Sequence, residues 1–250
     1  MTAELSRLEK KMLCGLYLSR ESQAGLNLKG FKTLAEAYNV LGLSLNFSPA
    51  SVKNYRDEFD ALFRRENPDH PRTGWQRPAR PSRQKLYEKF KDYDADELFS
   101  LISGFTGIKE EPAEKTKQAD SASFAKRLLT GRAAENFFLR HYQEEREFSG
   151  ATAEDMTHTG CGYDFSLRLP NLQKRFAVEV KGLAAVSGGI VLTDKEYNVA
   201  QEWESNYFLY IVKNFGEKPF ASTIRNPTNA GLNFKRAERK IIQISWSATV

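Results

Sequence analysis

Asp164, Glu179 and Lys181 are the residues whose types and spacing could do chemistry together. Glu179 and Lys181 stand two apart in the alternating run Arg175–Lys181. Side chains of a strand repeat every two residues, so a carboxylate and an ammonium leave one face side by side. Phe176, Val178 and Val180 fall on the opposite face. Asp164 opens the preceding run, Tyr163–Leu169, and the polar stretch Pro170–Lys174 between the runs reads as a hairpin turn. The hairpin carries Asp164 toward the place where Glu179 and Lys181 project. Two carboxylates are what a Mg²⁺ ion takes from a protein when phosphate and water fill its other positions. A lysine beside them can hold an attacking water or offset charge growing on a phosphate. The plainer reading of the same residues is a cross-strand ion pair on a solvated face.

The surrounding elements read as an α/β domain. Helical spacing runs from about Phe124 through Leu128, Ala134, Phe137, Phe138 and Tyr142. Glu135 sits inside this apolar stretch, so it is either exposed or aimed at a positive group. After the hairpin, Gly188-Gly-Ile-Val-Leu192 reads as a third short strand. Thr193-Asp-Lys-Glu196 reads as a capping box that opens a helix to about Trp203. The unbroken apolar run Tyr207–Val212 fits a strand buried on both faces. Helix, strands, helix, strand implies a mixed sheet flanked by helices.

The first half is helical. Leu5 to Arg20 and Thr33 to Leu41 read as helices, separated by a break at Gly25–Gly30, with Gly42 ending the second. Ser48 and Pro49 suit the start of a third. Its buried stripe is Val52, Tyr55, Phe59 and Phe63, and Ser51, Lys53, Asn54 and Arg56 lie near its start, off that stripe. Three short helices of this kind resemble a helix-turn-helix, whose last helix meets base edges with its first residues. A plain helical bundle has the same pattern. Asn67–Ser82, with four prolines and Trp75, reads as a surface arm. Arg72, Arg77 and Arg80 on this arm are candidates for phosphate contact. Arg83 to Ile102 reads as one more helix. The expected division is a helical unit at 1–107, a polar linker at 108–123 and the α/β domain at 124–250.

The chain has 250 residues and a net charge of +5. Between Ala61 and Phe90 eight bases face three acids, an excess equal to the whole net charge. A localised basic patch is the footprint of a polyanion binder. No apolar run reaches the roughly 18 residues of a membrane span, and the N-terminus lacks the apolar core of a signal peptide. A cytoplasmic protein that binds no membrane is expected. Two cysteines and three histidines make no recognisable zinc spacing. Cys161 with His141 or His158 is a poor nucleophile pair on spacing alone.

A helix Glu, then Asp, a spacer, Glu-Val-Lys, a helix and an apolar strand resembles the PD-(D/E)xK nuclease superfamily. Within it, Gly162-Tyr-Asp, Val178-Glu-Val-Lys-Gly, Leu192-Thr-Asp-Lys-Glu-Tyr and Asn206-Tyr-Phe-Leu-Tyr-Ile-Val resemble the DUF3883 family, also named for the C-terminus of the plant protein NO VEIN. That family occurs in restriction-type and phage-defence proteins. The similarity spans about Gly131 to Asn226. Gly-Tyr-Asp stands where the superfamily has Pro-Asp.

The resemblance implies a restriction-endonuclease-like fold for the C-terminal domain. It implies Mg²⁺, or Mn²⁺ as a substitute, on Asp164 and Glu179, with the Val180 carbonyl as a further ligand. Lys181 would position and help activate the attacking water, and Glu135 would act from the first helix as an acid behind the metal ligands or as an additional ligand. No small organic cofactor is implied. The expected activity is hydrolysis of double-stranded DNA by an endonuclease of restriction or anti-phage type. A homodimer is expected, because cutting two strands takes two active sites and this chain has one. The alternative is a nuclease fold that has lost its chemistry and serves as a DNA-binding or protein-interaction module.

Overall fold

A computed structural model of the chain describes residues 5–66, 78–106, 118–170 and 174–238. Helices come first. Helix α1 (Arg7–Arg20) starts on Ser6, and the Ser6 hydroxyl and Glu9 carboxylate satisfy each other's backbone N–H groups. Helix α2 (Gln23–Leu28) occupies the stretch expected as a break, because the Ser22 hydroxyl accepts the Gly25 N–H and caps it. Helix α3 (Leu34–Ser44) runs through Gly42 rather than ending there. Asn46 terminates it, with φ of 57°. The Phe47 N–H donates to Gly42 O and the Asn46 N–H to Leu43 O, which satisfies the last carbonyls.

Helix α4 (Pro49–Glu66) carries Pro49 in its first turn, as expected. The single helix expected over Arg83–Ile102 is two, α5 (Pro81–Phe90) and α6 (Ala95–Gly104). Asp94 separates them, because its carboxylate accepts the Glu97 N–H at 2.8 Å and starts a new helix. Helix α7 (Gln118–His141) begins inside the stretch expected as linker, so residues 118–123 are helical and the rest of that stretch lies outside the described residues.

The strands are β1 (Thr152–Asp155), β2 (Phe165–Leu169), β3 (Lys174–Gly182), β4 (Tyr207–Lys213) and β5 (Phe220–Arg225), in spatial order 1-2-3-4-5. β2 and β3 form the expected hairpin pair. Only β3 and β4 are parallel, with Glu179 opposite Leu209, and the crossover between them contains α8 (Asp194–Trp203). Gly188–Leu192 is not a strand, and Val191 is 81% exposed. β1 and β5 were not expected, since short edge strands have little apolar alternation to read.

Helices cover both sheet faces. On one, Phe138 of α7 packs its ring 4.7 Å from Phe165 and 5.0 Å from Tyr210. On the other, Ala200 of α8 packs with Ala177 and Tyr207. One apolar core runs from α1 through α7 to β4, joining the helical half to the sheet. Amides stitch this junction. Asn136 Nδ2 donates to Leu43 O at 2.9 Å and Ser44 O at 3.0 Å, and Asn39 Nδ2 donates to Phe215 O and Glu217 O, each at 2.8 Å. Among the described residues no helix is long and apolar enough to cross a membrane.

The Asn136 amide serves two carbonyls at the end of α3; Leu43 O also accepts the Asn46 N–H, whereas among the described residues Ser44 O has no other donor. Asn136→Ala leaves Ser44 O without a donor in a buried place, and should cost about 1–3 kcal/mol. Urea unfolding of the full chain measures this. A loss well under about half a kcal/mol would mean that water replaces the amide without penalty.

Candidate active site

The sheet brings Asp164, Glu179 and Lys181 together at one end of β3. Asp164 immediately precedes β2. Its N–H donates to Val178 O at 3.0 Å, and its Oδ2 accepts the Val180 N–H at 2.9 Å. The carboxylate is thus pinned to the strand that carries the other two residues. The turn before it is pressed against α8. Gly162 has φ of 95°, and a Cβ there would lie 2.8 Å from Val199 Cγ2, so both conformation and space require glycine.

Glu179 and Lys181 share the face of β3 turned toward α8. Glu179 is 2% exposed. Lys181 Nζ donates to Glu179 Oε1 at 2.5 Å and to Glu196 Oε2 at 2.9 Å. Glu196 Oε2 also accepts the Thr193 N–H at 2.9 Å. The expected capping box is present, but its carboxylate does more than cap: it belongs to the site. Spacing carried no signal of this. The crossover from β3 to the parallel β4 places the start of α8 beside the carboxyl end of β3, where open α/β sheets keep their clefts.

Glu135 reaches the same cleft from α7 and pairs with Arg132 at 2.7 Å. Helix α7 comes this close because position 182 is glycine. A Cβ there would lie 3.0 Å from Thr130 O. The cleft holds about 700 Å³, and its lining includes Gly30, Lys126, Glu135, Asp164, Glu179 and Glu196. Lys126 Nζ donates to Gly30 O at 2.5 Å and pairs with Glu36 Oε1 at 2.6 Å. The turn between α2 and α3 therefore forms part of the rim.

Burial raises the Asp164 carboxyl to about 6; the Val180 N–H opposes that shift, and neighbouring Glu135 adds to it. Burial and the adjacent Asp164 push Glu179 up to about 9, against the pull of Lys181. Burial disfavours the Lys181 ammonium, but Glu179 and Glu196 outweigh it and raise its pKa. The cleft crowds four acids, Glu135, Asp164, Glu179 and Glu196, among Lys126, Arg127 and Lys181. Among the described residues no hydrogen bond reaches Asp164 Oδ1 or Glu179 Oε2, so each carboxylate keeps one oxygen open. Hard, open oxygens in a crowded acidic cleft suit Mg²⁺ or Mn²⁺. Among the described residues no three His, Cys, Asp or Glu side chains form a ready metal cage, so substrate and water would have to supply most ligands.

The other expected contacts fare differently. Lys53 and Asn54 are exposed on α4, Ser51 is half-buried with its hydroxyl donating to Ser48 O, and Arg80 is exposed beside α5. Arg56 turns inward instead of outward. Its Nε donates to the Tyr38 hydroxyl and its Nη1 to Asp60 Oδ2 at 2.7 Å, because the buried Asp60 needs a counter-charge. Arg72 and Arg77 lie outside the described residues. Cys161 Sγ contacts Tyr163 O, and His141 is engaged by Glu144.

These elements define an α/β domain with a mixed five-stranded sheet and an acidic cleft at its parallel pair. Residues 134–224, which carry all four expected cleft residues and Glu196, match the family model described as "Protein NO VEIN, C-terminal". No curated protein and no solved structure matches the chain.

Asp164 and Glu179 hold protons more tightly in the folded chain than in the unfolded one. Between about pH 4 and 9 the folded state therefore binds more protons, and stability falls as pH rises through that window. Glu179→Gln removes the larger part of this penalty, while Lys181 keeps Glu196. In EDTA at pH 8 the variant should be more stable than the parent by on the order of 1–3 kcal/mol. The gain should shrink toward pH 5. Urea titrations at the two pH values measure it, and a variant no more stable at pH 8 would mean the acids are not strained.

Proposed function

We propose that the chain is a metal-dependent DNA endonuclease of restriction or anti-phage defence type, with a PD-(D/E)xK-like domain at 124–250. The observation that carries the reading is the strained pairing of Asp164 and Glu179, each with an open oxygen, beside Lys181 in one cleft. Two crowded carboxylates cost stability, and a divalent cation between a phosphate and these acids would offset that cost. The family match at 134–224 and the basic balance of the chain support the same reading.

The roles follow from the contacts. Asp164 and Glu179 would hold Mg²⁺, with the Val180 carbonyl as a further ligand, and the ion would supply Lewis-acid charge at the phosphodiester. Asp164 is oriented by the Val180 N–H, so its open oxygen faces the cleft with little freedom to lose. Lys181 spends two of its three N–H groups on Glu179 and Glu196, which leaves one for water or a phosphate oxygen. Glu196 fixes the ammonium in place. Glu135, paired with Arg132, would act from the opposite wall, as an acid behind the metal ligands or as an additional ligand. The exposed Lys53, Asn54 and Arg80 would contact duplex DNA, and a homodimer would supply a second site for the second strand.

One observation favours a second reading. The Lys181 ammonium is already satisfied by two carboxylates, as in a structural ion triad of a nuclease fold without chemistry. Cleavage decides between them. Plasmid DNA that is unmodified, methylated or hydroxymethylated is incubated with Mg²⁺, Mn²⁺ or EDTA. Discrete metal-dependent fragments should form, and Asp164→Asn and Lys181→Ala should each lower the rate by about 10²-fold or more. Failure to cut any of these substrates, or cutting that survives both substitutions, would reject the nuclease reading.

A further inference from the structure

Away from the cleft, three cations converge on the turn between α3 and α4. Arg140, near the end of α7, donates from Nε to Asn46 Oδ1 at 2.8 Å, and its Nη1 reaches Phe47 O. Arg7, in the first turn of α1, donates from Nη2 to Asn46 O at 3.0 Å. The Arg7 guanidinium lies 5.7 Å from the Phe47 ring centroid and the Lys11 ammonium 5.2 Å from it. Arg7 and Lys11 stand four apart, so they share one face of α1.

What holds these groups is neutral: a carbonyl, an amide oxygen and an aromatic ring. Among the described residues no carboxylate pairs with Arg7, Lys11 or Arg140. The cations are fixed in position without being neutralised. Burial depresses the Arg140 pKa, and the charge of Arg7 depresses it further, so like charges crowd here. Of the other cations packed in or against the helical half, Arg56 has Asp60, Arg83 has Glu58 and Lys126 has Glu36, whereas Arg20 is held, like Arg7, on carbonyls and rings. A fixed, uncompensated group of cations is suited to oxygens of a polyanion, which need charge and release counterions on binding.

We propose that Arg7, Lys11 and Arg140, gathered on the Asn46–Phe47 turn, form a seat for the phosphate backbone of a nucleic acid duplex. The seat adjoins the start of α4, where Lys53 and Asn54 are exposed within two turns of Phe47. A backbone held there would run past that part of α4. Contacts of this kind set register and orientation and carry no base sequence. The seat deepens the nuclease reading by supplying a substrate-holding surface outside the cleft, and it can be tested without any chemistry.

The test is fluorescence anisotropy with a labelled 20-base-pair duplex of mixed sequence, in EDTA, using the full chain across a salt series. The double variant Arg7→Gln, Lys11→Gln is compared with Lys174→Gln, Lys218→Gln, which removes the same charge from exposed positions on the sheet half. The seat variant should bind on the order of tenfold more weakly near 0.1 M salt, and its salt slope should fall by about 2, since each phosphate contact contributes roughly 0.9. The control should stay within about twofold of the parent. Thermal melting of both variants checks that the fold is kept; Lys11→Gln alone serves if the double variant melts early, with a slope change of about 1. Equal weakening in seat and control variants, an unchanged slope, or no duplex binding by the parent at low salt each overturns the proposal. Duplex binding by a parent that cuts no DNA with either metal would instead count against the nuclease reading alone.

Discussion

The cleft depends on a carboxylate that the protein buries at a cost. Glu179 is almost fully enclosed beside Asp164, and burial and repulsion both favour its neutral form. The Lys181 ammonium offsets part of that cost from the same strand face, and Glu196 holds the ammonium from α8. Each charge is tolerable only because the next is fixed. The tight glycines at 162 and 182, the cap of α8 and the approach of α7 all serve to fix them.

The helical half is part of that framework. Its core is continuous with the sheet, and buried amides on α3 and α7 satisfy carbonyls across the junction. Gly30 and the Glu36–Lys126 pair bring the turn between α2 and α3 to the cleft rim. A substrate held by the helical half would therefore be held by a body rigidly packed against the acids. The polar groups at this junction lose more if separated than apolar contacts do, because each buried carbonyl left without a donor carries its own penalty.

Much of the arrangement was legible in the residues. The alternation of Phe176, Val178 and Val180 against Glu179 and Lys181 identified β3 and its two faces, because burial on one face imposes a period of two. The run Tyr207–Val212 identified a strand covered on both sides, and all six residues are buried. Capping chemistry was less decisive. Thr193 and Glu196 marked a real helix start, but Asp94, with the same chemistry, went unread and two helices were taken for one. Gly42 looked like a terminator and is a packing residue inside α3, where Asn46 takes the left-handed turn instead. Gly188–Leu192 had the composition of a strand and is irregular chain in the crossover before α8.

By itself the sequence determined which residues could be catalytic and which strand face carries them, because spacing along one strand fixes direction. It determined the order of helix, hairpin, helix and buried strand for the same reason. The tertiary structure alone decided that Glu196 belongs to the cleft, that Arg56 turns inward to Asp60, and that Arg7, Lys11 and Arg140 meet at one turn. Those contacts join residues from different elements. Local periodicity holds no information about them, and only the packing of one apolar core around the sheet brings them within reach.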